Sequence, residues 1–288
     1  MQLGSQDSTI SFQLILFIVC TALLNTGCDP SFNPIKQNDR YFSVFGYLNA
    51  SADTQYVRIE KLRDGMPGET PSDLEAKITL TNVATNQTVT MQDSVYEYYL
   101  QGKAHNFYTT MDINPNQKYR LEVNGEEGNS SAELEIPDAF SKPEVLDNSK
   151  FQTILKMQGI KRLVGIKTIY QTCQTCSCDE TIRYTYSNLK DTLYMDDGSV
   201  KAEIDLLEEK KKIFLNYPEN KDYSILRYDV VVAAGMPSWP NYADLDPEEV
   251  ILPDVATNVN NGVGYLGGIV SDTLNMIDTC TRVATASF

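Results

Sequence analysis

Histidine, the side chain that most often moves protons in catalysis, occurs once: His105, within Gly102-Lys103-Ala104-His105-Asn106. One histidine excludes a multi-histidine metal centre, and any Ser or Cys triad would depend on that single base. Its polar neighbours place it in an exposed loop with no chemistry of its own. The chain has no Gly-x-Ser-x-Gly, no His-Glu-x-x-His, no phosphate-binding loop and no Asp-rich loop with EF-hand spacing. A glycoside hydrolase needs two carboxylates about 5 to 10 Å apart across a cleft. That relation is spatial, and 39 acidic residues permit it without indicating it. The expectation is a chain with no catalytic residues, no metal and no cofactor.

The cysteines say more. Cys173-Gln174-Thr175-Cys176-Ser177-Cys178 is a tight cluster, with Cys280 about a hundred residues on. Four thiolates would suit zinc, although structural zinc sites usually draw a pair from each half. In an exported chain the same residues read as disulfides, and this is the favoured reading. Cys176 and Cys178 would lie about 6.5 Å apart if extended, near the limit for a bridge. Cys280 is therefore expected to bond one of the cluster, closing a loop that contributes up to about 4.7 kcal/mol. Which cysteine it takes stays open.

Two further segments could bind a ligand. Pro237-Ser238-Trp239-Pro240-Asn241-Tyr242 frames the only tryptophan with prolines and is followed by Asp244, Asp246, Glu248 and Glu249. Exposed, Trp239 and Tyr242 would grip a sugar or peptide; the favoured alternative folds Trp239 over a sheet edge. Asn258 to Ile269 carries glycines at 262, 264, 267 and 268, which permits tight turning or close backbone contact.

Leu14 to Leu24 is an apolar run too short to span a bilayer, which takes about 20 residues, and has the length of a signal-peptide core. It ends in Leu24-Asn25-Thr26-Gly27-Cys28, which resembles the lipobox of bacterial lipoprotein signals. That resemblance implies cleavage after Gly27 and acylation of Cys28, with palmitate-type chains anchoring it at about 0.8 kcal/mol per buried methylene. Asn25 stands where the pattern has an aliphatic residue, and the first 13 residues hold no Lys or Arg. The alternatives are an ordinary cleaved signal or an uncleaved anchor helix. Residues 1–27 are thus read as signal peptide, and 28–40, with Pro30 and Pro34, as a tether.

These segments need a scaffold, and 288 residues at 42% hydrophobic composition can bury one. With 24 basic against 39 acidic residues the chain carries net charge −15, which repels phosphate backbones and argues against nucleic acid as a partner. Apolar and polar residues alternate in Tyr56–Glu60, Lys77–Thr81, Lys118–Val123 and Ala132–Ile136. Turn signals separate them, so the pattern predicts short antiparallel strands. The segment Ile113 to Val123 resembles the tyrosine corner of immunoglobulin-like and fibronectin-type sandwiches, with Tyr119 as the corner residue.

The predicted fold is therefore all-β: an immunoglobulin or fibronectin-III-like sandwich over residues 41–140, then a second, mainly antiparallel β domain over 141–288. In the latter, Leu163–Tyr170 and Tyr228–Ala234 read as strands and Asp197-Gly198 as a hairpin turn. Ile204 to Leu215 fits a helix or two strands around a charged turn, and its neighbours favour strands.

The lipoprotein-type signal, Val44-Phe45-Gly46-Tyr47-Leu48, Gln55–Ile59, Gln117–Val123, the cysteine cluster and Asn260–Gly268 follow one another in an order that resembles an uncharacterised family of Bacteroidetes-type lipoproteins. That family has a domain of unknown function and is often encoded beside TonB-dependent receptors. The resemblance implies an outer-membrane, lipid-anchored protein whose partner is the membrane itself and a TonB-dependent receptor or other envelope protein. Its role would be an accessory or binding component of nutrient uptake, with surface glycan binding as the alternative and glycoside hydrolysis behind it. It supplies no catalytic residues.

Overall fold

Period-two alternation lays the chain out in strands. The computed structural model describes residues 40–62, 74–98, 102–149, 151–173, 182–187, 192–215, 224–240, 256–276 and 281–282. In chain order these hold β1 (Phe42–Asn49), β2 (Gln55–Lys61), β3 (Ala76–Asn82), β4 (Thr88–Thr90), β5 (Gln92–Tyr98), β6 (Gly102–Thr109), β7 (Lys118–Gly125), β8 (Asn129–Glu135) and β9 (Glu144–Asn148). They continue with β10 (Gln152–Met157), β11 (Arg162–Cys173), β12 (Ile182–Ser187), β13 (Thr192–Tyr194), β14 (Val200–Asp205), helix α1 (Leu206–Leu215), β15 (Ser224–Gly235), β16 (Val259–Asn260), β17 (Gly262–Met276) and β18 (Thr281–Arg282). Among the described residues the protein is all-β apart from α1, and no helix there is long and apolar enough to cross a membrane.

One long sheet runs β12-β11-β15-β17-β1-β2-β6-β5, with β18 added beside β15. Two smaller sheets, β16-β8-β7-β3-β4 and β13-β14-β10-β9, complete the architecture. Val57 and Ile59 of β2, Ile78 and Leu80 of β3, and Leu121 and Val123 of β7 are buried in one core, a sandwich of the long sheet's β17-β1-β2-β6 part and the β8-β7-β3 sheet. Leu155, Ile204, Ile166 and Val232 anchor a second core, where α1 adds Leu206 and Ile213. Each fully buried aliphatic side chain contributes about 1.5–3 kcal/mol.

Strand β17 belongs to both cores: Leu266 and Val270 lie in the first, Leu274 and Met276 in the second. Its first half pairs in parallel with β1 (Phe42↔Gly262 to Asn49↔Ile269), its second half antiparallel with β15 (Gly235↔Ile269 to Tyr228↔Met276). Chain from both sides of residue 140 therefore shares one sheet. Alternation alone sets which face a residue takes, and leaves open which distant strand lies alongside.

The tyrosine corner is present. Tyr119 is fully buried. Its hydroxyl accepts the Asn114 N–H at 2.9 Å and the Asn82 side-chain amide at 3.3 Å, and donates to the Asp112 carbonyl at 3.4 Å. The Asp197-Gly198 hairpin also forms, joining β13 to β14 with Gly198 at φ +76°.

Two expectations are corrected. Leu206–Leu215 is helical: the Asp205 carboxylate caps the helix by accepting the Glu208 N–H at 2.9 Å, with Glu208 and Glu209 in the first turn and Lys212 in the last. Cap and dipole complementarity override the bias of neighbouring strands. His105 sits in strand β6, only 4% exposed, on the same inward face as Phe107. Its Nδ1 is 2.7 Å from the Asp93 carboxylate on β5, a partner that lets a polar ring be buried where sequence alone suggests a loop.

Candidate functional site

At Gly235↔Ile269 strand β15 leaves the long sheet, and the chain turns through Met236–Pro240 with the Trp239 N–H donating to the Met236 carbonyl at 2.9 Å. Beyond that point the first half of β17 has no β15 neighbour. Asn258 takes the vacant edge, donating to the Leu266 carbonyl at 2.8 Å and accepting the Leu266 N–H at 2.9 Å. The turn, the 256–258 segment and the edge of β8 leave a groove of about 580 Å³ between them. This is an ordinary size for a small-ligand cleft.

The glycines of β17 make this packing possible. A Cβ on Gly264, which sits at φ +106°, would lie 2.2 Å from the Val44 carbonyl oxygen. On Gly267 it would lie 2.1 Å from Trp239 Cζ3, so the indole rests directly on bare backbone. Trp239 is half-buried, and its ring meets Tyr265 edge-to-face at 5.4 Å and 70°. The lone tryptophan therefore takes the favoured alternative and folds over the sheet, while its neighbours Ser238 and Pro240 line the groove.

Met236, Pro240 and Tyr265 form the apolar wall, and Lys118, Glu133 and Glu135 the charged one. Lys118 Nζ is 3.8 Å from Glu135, and Arg120 Nε donates to Glu133 at 2.7 Å. Glu133 raises the Arg120 guanidinium above its ordinary pKa, first through that hydrogen bond and then through its charge. Glu133 and Glu135, two residues apart on one face of β8, are the nearest thing to a carboxylate pair in the cleft. Both meet cations and solvent rather than the apolar pocket in which a glycosidase shelters its acid. The arrangement suits holding a ligand by ring contact and hydrogen bonds. The buried His105 and its exposed partner Asp93 lie elsewhere, on β6 and β5.

Of the segments singled out from sequence, Asn258–Ile269 lines the groove through Asn258, Tyr265, Leu266, Gly267 and Gly268, and Trp239 packs beside it between Ser238 and Pro240, which also line it. Tyr242, Cys28, Cys176, Cys178 and Cys280 lie outside the described residues, and of Cys173 only its place in β11, opposite Ser224, is described. Among the described residues no group of three or more His, Cys, Asp or Glu is placed to hold a metal ion. Lys118, Glu133 and Glu135 went unread because they reach the groove only through the pairing of β8 with β7 and the crossing of β17. Tyr265 was within reach, as the one aromatic in the glycine run.

Among solved structures, a pullulanase from Anoxybacillus sp. LM18-11 matches at 10% identity and TM-score 0.24, covering 65% of this chain and 24% of the enzyme. The chain thus spans about a quarter of that protein's length. A cytokine receptor complex matches at 8% identity and TM-score 0.26, over 85% of this chain and 100% of the other. The FN1–FN3 domains of chicken CNTN1 match at 12% and 0.24, over 82% and 62%. These scores carry no argument about function. No curated protein matches the chain. Residues 29–206 match the model of a domain of unknown function, DUF4249, and the chain belongs to that family.

Proposed function

We propose that this protein is a lipid-anchored, non-catalytic binding protein of the outer membrane, serving as an accessory component of nutrient uptake and holding its ligand at the Trp239 groove. The observation that carries the binding role is the groove itself: a cleft of about 580 Å³ with Tyr265 and the residues flanking Trp239 on one side and polar groups along the opposite wall. Support for the anchor comes from the apolar run ending at Cys28, and for a TonB-dependent receptor or other envelope protein as partner from the order of motifs along the chain. Disulfide pairing among Cys173, Cys176, Cys178 and Cys280 goes with export. Ser224 pairs with both Cys173 and Arg282, which brings the chain just after Cys280 to within one strand of Cys173.

The test is mass spectrometry of protein extracted from membranes, with affinity capture in detergent. The expected result is an acylated Cys28 at the N-terminus, oxidised cysteines and a co-purifying TonB-dependent receptor. Recovery from the cytosol with an intact leader and free thiols would overturn the proposal.

A further inference from the structure

The outer face of the long sheet carries a row of aromatic rings that begins at Trp239. Gly267, the residue beneath the indole, pairs with Tyr47, Tyr47 with Tyr56, and Tyr56 with Tyr108. Four ring side chains therefore stand side by side over β17, β1, β2 and β6. Strands lie about 4.8 Å apart, so the row measures about 14 Å, the length of a few linked sugar rings. Tyr47 is 49% and Tyr56 56% exposed. The opposite face of the same strands holds Val44, Leu48, Val57 and Ile59, all fully buried, so the outward tyrosines are not needed for that core.

Charge and geometry both point to the occupant. The chain has 24 basic and 39 acidic residues. Yet among the described residues facing this way on β1, β2, β5, β6 and the first half of β17, the charged ones are Arg58 and Glu60. These bind each other, with Arg58 Nε donating to Glu60 at 2.8 Å. A face that has neutralised itself within so acidic a chain matches an uncharged ligand. Aromatic faces carry negative charge density and attract the C–H side of a sugar ring. Nearby amides and hydroxyls (Asn106, and Gln92 accepting from the Tyr108 hydroxyl at 2.6 Å) meet its hydroxyls. The rings are not coplanar: Tyr56 and Tyr108 lie 5.9 Å apart with 33° between their planes, as the right-handed twist of a sheet dictates. A twisted row follows a single flexible chain and cannot lie flush on a flat, crystalline surface.

We propose that Trp239, Tyr47, Tyr56 and Tyr108 form a platform that binds a single soluble chain of neutral sugars, laid across the strands and leading to the groove. This rests on the reading that the protein is a binding protein, and names the class of its ligand. The only tryptophan stands at one end of the row, so its fluorescence reports occupancy directly. The experiment titrates the full processed chain with maltoheptaose, cellohexaose and xylohexaose, using oligogalacturonate as a charged comparison and microcrystalline cellulose as a flat one.

The expected result is saturable quenching by at least one neutral oligosaccharide, with little binding to oligogalacturonate or cellulose. Tyr47→Ala, Tyr56→Ala and Tyr108→Ala should each weaken it about 2- to 12-fold, while Tyr56→Phe retains it. Unaltered melting temperatures would show that the variants fold. Loss of binding in Trp239→Ala with the three tyrosine variants unaffected would overturn the platform and leave the groove reading standing. Failure of every neutral oligosaccharide, or capture of an envelope protein that the tyrosine variants no longer hold, would overturn the sugar assignment as well.

Discussion

Substituting Gly267 by alanine tests the contact on which the groove is built. The added methyl would lie 2.1 Å from Trp239 Cζ3, 2.7 Å from Cη2 and 2.8 Å from Cε3, so the indole must retreat by over an ångström. It cannot simply slide, because Pro237 and Pro240 frame the turn and Gly235 lies beneath Cε3 at only 3.0 Å from its own notional Cβ. The ring therefore lifts, losing its edge-to-face partner Tyr265, a pair that contributes about 0.5–1.5 kcal/mol. Added to ordinary overpacking, the destabilisation comes to about 1.5–4.5 kcal/mol. For a chain of this size that lowers the melting temperature by about 3–8 °C. Emission from the sole tryptophan should shift to the red as the indole gains water. Gly268→Ala is the internal comparison: there the obstacle is the Glu135 carbonyl oxygen at 2.3 Å, rigid backbone where Gly267 meets a side chain, so the loss must be larger. Unchanged emission in Gly267→Ala, or a smaller melting shift for Gly268→Ala than for Gly267→Ala, would refute the packing account.

Three further outcomes follow from named contacts. Tyr119→Phe should cost about 1–2 kcal/mol by denaturant unfolding, because the corner hydroxyl serves Asn114, Asn82 and Asp112 together while the exposed ends of that turn recover water. Asp205→Ala removes the cap of α1 and should cost about 0.5–2 kcal/mol, with Asp205→Asn retaining most of it. Burial, then the nearby Glu209 charge and the 2.6 Å hydrogen bond to it, push the Tyr170 phenol above its ordinary range. A group held protonated in the fold but free to ionise when unfolded stabilises the native state below its unfolded pKa. That contribution falls as pH rises past about 10. The fall in melting temperature with rising alkaline pH should therefore be less steep in Tyr170→Phe, a variant that also removes one hydrogen bond to the buried Glu209.

What the sequence disclosed was face, and what it withheld was partnership. Val57, Ile59, Ile78, Leu80, Leu121 and Val123 all point inward as alternation predicts, because a strand with one wet side has a single way to satisfy both faces. The corner at Tyr119 was legible for a related reason: its signal is local, a tyrosine closing a turn a few residues upstream. His105 was misread since burial of a polar ring depends on Asp93, which the hairpin of β5 and β6 brings alongside. Helix α1 was misjudged because one capping carboxylate outweighed the company of strands. The groove was the least legible element, for Lys118, Glu133 and Glu135 lie more than a hundred residues before Asn258 and Tyr265 and meet them only once β17 has chosen its neighbours.

That choice explains why the groove lies where it does. A fifteen-residue strand serving two cores must change partners along its length, and β17 does so at Ile269, where β1 and β15 both reach it. On the β15 side the change of partner leaves a stretch of backbone edge unpaired, and an unpaired edge has to be satisfied by something other than a strand. Asn258 does this with its side-chain amide, which is far thinner than a strand and leaves room beside it. Trp239 covers the adjoining glycines without filling that room. A ligand in the groove would touch β8 of one sandwich and the turn that leaves β15 of the other, so binding there should stiffen the joint between the two cores. Amide hydrogen exchange at Leu266 and Gly267 would then slow on binding, while exchange at the far end of β3 would not.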